Sequence, residues 1–292
     1  MPTFKITDSF KTLVVSPLLA ATLVAAGGVH SSAFAQTAID LEVQIAPFDV
    51  LDLEKDRDAG ANFDTRLQDW SGEDSVKRLE YAAEDGNEVA MWKLGHIYSS
   101  RKADKANHLR AFKMFSRVVR SHVDLTPYSE KAPFTANAFV SLGHYYRNGI
   151  PDSPVVKSEE KAWGMFLTAA TYYGDPKAQY ALFEMCDAEA VEFCSNIQAG
   201  RWLKKSAVNG NVSGQAQFGY RQFEGEKGVK RNKVEGLKWL TIARQRAHPT
   251  RHEWVQELHE RAFSVADVKE RKKARERAAK WMRDHCGKNI NC

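Results

Sequence analysis

Residues 134–175 read FTANAFVSLGHYYRNGIPDSPVVKSEEKAWGMFLTAATYYGD, two helical segments separated by a turn. In the first, Ala138, Leu142, Gly143 and Tyr146 follow A-x-x-x-L-G-x-x-Y, with Gly149 three residues later. In the second, Lys161, Ala162 and Trp163 lead into Phe166, Ala169 and Ala170. Apolar residues three and four apart make a stripe on one helix face, and small residues within it let a neighbouring backbone come close. Gly149, Pro151 and Pro154 keep the turn out of both helices. A lone hairpin cannot bury such a stripe, so the rest of the chain is expected to supply copies.

The copies are present. Leu94, Gly95 and Tyr98 repeat the first-helix pattern behind Ala90. Ala178, Leu182, Phe183 and Cys186 give a degraded version. Gly214, Phe218, Gly219 and Gln222, followed by Gly225, give another. Second-helix patterns recur at Ala111, Phe112 and Phe115, at Ala199, Gly200, Trp202 and Leu203, and at Gly236, Leu237, Trp239 and Leu240. Repetition of both halves predicts an all-α fold: an α/α solenoid of helix-hairpin repeats in which Leu94, Leu142, Leu182 and Phe218 are equivalent core wedges. The aromatics Trp163, Phe166, Trp202 and Trp239 read as core rather than as a ligand cage.

The array A-x-x-x-L-G-x-x-Y…G…K-A-x-x-W/F…A-A…G resembles Sel1-like repeats, relatives of the tetratricopeptide repeat. MWKLGHIY, TANAFVSLGHYYRNGIPDSPV and LKWLTIAR, in that order behind a leader, further resemble the ExoR family of periplasmic regulators of exopolysaccharide synthesis. That resemblance implies a negative regulator whose partner is the periplasmic sensing domain of a membrane histidine kinase, released by acid and by proteolysis. It implies no cofactor and no catalysis. Phe183, Cys186 and the loop after them depart from the repeat pattern and put the partner-facing surface in doubt.

The ends of the chain carry different signals. Residues 1–35 read as a cleavable signal peptide: Lys5 and Lys11, an apolar run, then Ala33-Phe34-Ala35. The mature protein is therefore expected in the periplasm, without membrane insertion. Residues 36–73 hold ten acidic against three basic side chains, an acidic arm whose Ile45, Phe48, Val50 and Leu51 suggest partial docking. The solenoid is expected over 74–248. It opens on a lone second helix with Leu79, Tyr81, Ala82 and Ala83 at its packing positions, stopped by Gly86. Residues 249–292 read as capping helices and a tail. Trp254, Leu258, Ala262 and Phe263 face inward on one helix, and Ser264 with Asp267 resembles a capping box for the next. Lys269, Arg271, Lys272, Lys273, Arg275 and Arg277, interrupted by Glu270 and Glu276, suit the polar outer face of a terminal helix better than a nucleic-acid surface.

Four cysteines in an exported chain suit disulfides, and the local pairs Cys186–Cys194 and Cys286–Cys292 are favoured among three connectivities. No G-x-S-x-G, no S-x-x-K placed as in penicillin-recognising enzymes and no H-E-x-x-H is present, and no residues are assigned to catalysis, a cofactor or a metal. His248, His252 and His259 have loose ligand spacing but read as surface histidines. His96 and His144 both follow the repeat glycine, about 200° from the packed leucine. They are expected on a common surface as pH-sensing candidates, because histidine changes charge between about pH 5 and 8. Lys93, His96, Ser141, His144 and Arg147 form the candidate partner surface. Two other classes compete: a secreted β-lactamase-like repeat enzyme, and an exported adaptor or effector without a signalling role.

Overall fold

The computed structural model describes residues 73–100, 104–121, 126–188 and 194–286. The expected signal segment and all but the last residue of the acidic arm lie outside them. Helix α1 (Glu73–Glu84) precedes four helix pairs. These are α2 (Glu88–Ser100) with α3 (Lys105–Arg120), and α4 (Ala132–Asn148) with α5 (Glu159–Thr171). Then come α6 (Pro176–Asp187) with α7 (Asn196–Val208), and α8 (Val212–Glu224) with α9 (Lys233–Arg246). The chain closes with α10 (Glu253–Val265) and α11 (Val268–Cys286). Each pair packs on itself and each second helix packs on the next first helix, while α11 lies along α9. This is an α/α solenoid, with no strand among the described residues. No helix among them is long and apolar enough to cross a membrane.

The closeness of each pair comes from one contact. Leu94, Leu142, Leu182 and Phe218 are all buried on first helices. Beside the first two wedges, a Cβ on Gly95 would stand 2.6 Å from the Phe115 ring, and one on Gly143 2.5 Å from the Phe166 ring. Only a hydrogen fits there. In the third pair Phe183 fills the glycine position, and Leu203 replaces the facing phenylalanine, both buried in one cluster. In the fourth, Gly219 meets the backbone of Gly236, whose carbonyl oxygen would lie 2.9 Å from an added Cβ, and Leu240 holds the ring position. A glycine faces a phenylalanine in the first two pairs, whereas the third sets two large side chains together and the fourth two glycine backbones, so the neighbouring side chains repack around each contact.

Local signals set the helix ends. Ser158, Asp175, Asn211 and Asn232 cap α5, α6, α8 and α9 by accepting from backbone N–H groups, and Ser195 forms a full capping box with Gln198 on α7. Gly149 ends α4 at φ 75°. The turn beyond it is pinned: Ile150 N–H donates to Val155 O (2.8 Å) and Ser158 N–H to Tyr146 O (2.7 Å), with both aliphatic side chains buried.

Three expectations change. Tyr81 is 71% exposed; α1 packs through Val76, Leu79 and Ala83 instead, because the stack covers only one side of a terminal helix. The capping box before α11 is formed by Asp267 and Glu270, not by Ser264 and Asp267. Glu270 N–H donates to Asp267 Oδ1 (2.7 Å) and Asp267 N–H to Glu270 Oε2 (3.1 Å), whereas Ser264 Oγ donates back to Arg261 O. His259 is buried rather than on the surface, stacked on Phe263 with ring centroids 4.0 Å apart. Burial lowers its pKa from 6.5 to about 4, and the charges of Arg244 and Arg275 push the same way against Glu260.

Gly143→Ala is expected to lose about 1–3 kcal/mol in urea unfolding, because the buried Phe166 ring has nowhere to retreat. Gly143→Ala with Phe166→Leu should recover part of that loss, a coupling of about 1 kcal/mol in a double-mutant cycle. His259 supplies a pH dependence. The unfolded chain takes up a proton near pH 6.5 that the folded chain refuses until about pH 4, so stability falls as pH falls through that window. Its share is about 2 kcal/mol after allowance for partial hydration. His259→Leu should flatten the slope of the urea midpoint between pH 7 and 4.5.

Candidate functional site

The first helices turn their Leu-Gly-Tyr faces toward the second helices. The side chains left on the other side form a wall running from α2 through α4 and α6 to α8. All five sequence-nominated residues, Lys93, His96, Ser141, His144 and Arg147, stand on this wall and are half-buried. Ser141 Oγ donates to Asn137 O within its own helix (2.9 Å).

His96 and His144 do occupy equivalent settings, but not open ones. Each ring meets the edge of the phenylalanine that fills its own repeat's glycine notch, Phe115 at 5.2 Å and Phe166 at 5.0 Å. Each also engages the following repeat. His96 Nε2 is hydrogen-bonded to Asn137 Oδ1 on α4 (2.6 Å), the same oxygen that accepts from Trp92 Nε1 (2.8 Å). His144 lies in the field of Asp175, the N-cap of α6. Burial pushes the Asp175 carboxyl up, opposed by the Ala178 and Lys177 N–H donors and by the charges of Lys177 and His144. The helix angle correctly turned the two histidines away from the leucine stripe. It could not show that the glycine notch lets the phenylalanine slide under them, or that the next repeat closes over the far side.

Further along, charged pairs tie consecutive repeats. Arg147 on α4 pairs with Glu184 on α6 (3.0 Å). Arg221 on α8 donates from Nη2 to Asp187 Oδ2 on α6 (2.7 Å), and Lys227 reaches Asp187 Oδ1 (3.2 Å). Burial raises the Asp187 carboxyl, but Arg221 and Lys227 outweigh it and hold it below the usual carboxylate range. Between these pairs lies a groove of about 310 Å³ whose lining includes Arg147, Tyr180, Phe183, Glu184, Gln217 and Arg221. The sequence nominated Arg147 but missed Arg221. A signal for it exists: Arg221 holds the repeat position occupied by Ile97, Tyr145 and Met185 in the other three copies.

The groove lies beside a covalent clamp. Cys186 and Cys194 are disulfide-bonded with Cα atoms 5.2 Å apart, joining the end of α6 to the start of α7. Cys186 stands where the earlier repeats bury Tyr98 and Tyr146, and is itself buried. The other expected pair requires Cys292, outside the described residues. Among the described residues no three His, Cys, Asp or Glu side chains gather as a metal site.

Comparison with known proteins places this arrangement. The chain is 32% identical over 203 residues to an exopolysaccharide production negative regulator of Rhizobium meliloti (strain 1021), covering 69% of this chain and 73% of that protein. It is 33% identical over 203 residues to a protein of the same description from Rhizobium leguminosarum bv. viciae, with the same shares. The fold matches the crystal structure of a Sel1 repeat protein from Oxalobacter formigenes with a TM-score of 0.53 at 18% identity, covering 71% of this chain and 78% of that one. No family model matches the chain.

The disulfide closes a short loop, for which chain entropy gives about 2–3 kcal/mol. Cys186→Ser/Cys194→Ser, or reduction of the native chain, is expected to lower Tm by about 5–10 °C in a thermal melt.

Proposed function

The chain belongs to the family of exopolysaccharide production negative regulators, and from that premise we propose that it restrains exopolysaccharide synthesis by binding another protein through the wall of first helices. The carrying observation is the match over 203 residues to two regulators of that description. A stack of helix pairs offers a long surface suited to gripping a helix or an irregular domain. In this reading residues 1–35 direct export to the periplasm and are removed, residues 36–73 remain as an acidic arm, 74–248 form the gripping solenoid and 249–292 close it. The partner is the periplasmic sensing domain of a membrane histidine kinase, held inactive while the regulator is bound and freed by acid or proteolysis. Lys93, His96, Ser141, His144 and Arg147 contribute the contact surface. Protonation of His96 and His144 adds positive charge to that wall, while the His96 Nε2–H to Asn137 Oδ1 bond is retained. The protein acts by binding, without catalysis.

The test begins with a clean deletion, for which secreted exopolysaccharide should rise and return to normal on complementation. Purified mature protein should capture the kinase sensing domain from envelope extracts at neutral pH and release it at acidic pH. Lys93→Glu/Arg147→Glu should weaken that capture about tenfold. His96→Gln/His144→Gln should keep it at acidic pH. Unchanged exopolysaccharide in the deletion strain would sink the proposal.

A further inference from the structure

Three copies of the repeat bury an apolar or aromatic side chain two residues after the glycine position: Ile97, Tyr145 and Met185, at 7%, 4% and 0% exposure. The fourth buries Arg221 at 7%. A guanidinium in such a place loses hydration, which is offset only where its N–H groups find acceptors. Here that is incomplete. Nη2 donates to Asp187, while Nη1 is buried without a hydrogen-bond partner. The Arg221 Cζ lies over the Phe183 ring, 4.7 Å from the centroid. Phe183 is itself the residue that replaces the repeat glycine. The departures of the third and fourth copies therefore meet in one place, and that place is the groove across α4, α6 and α8.

We propose that Arg221 anchors a carboxylate presented by the binding partner, an aspartate or glutamate on an acidic segment laid across α4, α6 and α8. This deepens, and rests on, the reading of the wall as a partner-binding surface. An orphaned guanidinium donor calls for an anionic acceptor, and charge-assisted pairs of this kind are the strong ones. Glu184 and Asp187 share the groove and repel a dianion, so a single negative charge fits better than a phosphate. Asp187 need not give way, because Lys227 also holds it. Tyr180 and Phe183 supply flat apolar faces beside the anchor, and Gln217 an amide that can donate or accept. Local rules broken at coupled positions mark functional sites more often than neglect.

The probe is acetyl-Ala-Ala-Glu-Ala-Ala-amide, titrated into isotope-labelled mature protein alongside the same peptide with Gln in place of Glu. Signals of the Arg221 Nε–H and the Gln217 side-chain amide should shift with the Glu peptide. The Gln peptide should bind about tenfold more weakly, the value of one charge-assisted bond. Arg221→Met borrows the residue found at this position in the third repeat and should abolish the preference for Glu. Should that variant not fold, Arg221→Lys, which keeps the charge but not the fork, should reduce the preference at least severalfold. Equal binding of the two peptides by the wild-type protein overturns the proposal, as does a Glu preference that survives in Arg221→Met or in Arg221→Lys at full strength. A strain in which folded Arg221→Met still restrains exopolysaccharide while the deletion does not would sink the anchor and leave the regulator reading standing.

Discussion

The molecule depends on how closely two helices of a pair can approach, and that distance is fixed where a glycine on the first helix meets a large side chain on the second. With only a hydrogen at Gly95 or Gly143, the rings of Phe115 and Phe166 settle against the opposing backbone. The apolar stripes on either side then close without voids, as interior packing density demands. The contact tolerates changed residues where the surrounding side chains repack to fill the space. Phe183 against Leu203 sets two large side chains together, and Gly219 against Gly236 brings two backbones together while Leu240 holds the ring position.

From that spacing the junctions between repeats follow. A phenylalanine seated in the glycine notch reaches the histidine one residue further on, so His96 and His144 become part of the join rather than free surface. Asn137, Asp175, Glu184 and Asp187 each take a polar or charged group from a neighbouring repeat or lie in its field. The wall of first-helix side chains is also the seam of the stack. Wall and stacking share side chains, which gives a charge change on the wall a route into the packing.

The wall is uneven along its length. At α2 and α4 it is closed by aromatic edges and an asparagine bridge, whereas at α6 and α8 it opens into a groove between ion pairs. The disulfide lies beside the open part and ties α6 to α7 where the repeat has lost its tyrosine. A covalent link there takes the position of a buried tyrosine in the earlier repeats. At the far end, α10 and α11 bury His259 and the small face of α11 while turning the lysines outward, as the terminal unit of a stack must.

Sequence alone settled the helices, their pairing and the four equivalent wedges. A repeated 3.6-residue stripe can be buried in only a few ways, and glycine, proline and capping side chains act over a few residues. The same reasoning found the equivalence of His96 and His144. It misjudged Tyr81, the register of the last capping box and the burial of His259, because one helix's periodicity carries no information about which side a neighbour covers. Arg221, Phe183 and Asp187 became a site only through folding. Arg221 and Asp187 are 34 residues apart in the chain, on different helices, and each looks like an isolated lapse from its own repeat. Stacking sets one lapse against the other, and a contact between repeats is a property of the stack that no single repeat contains.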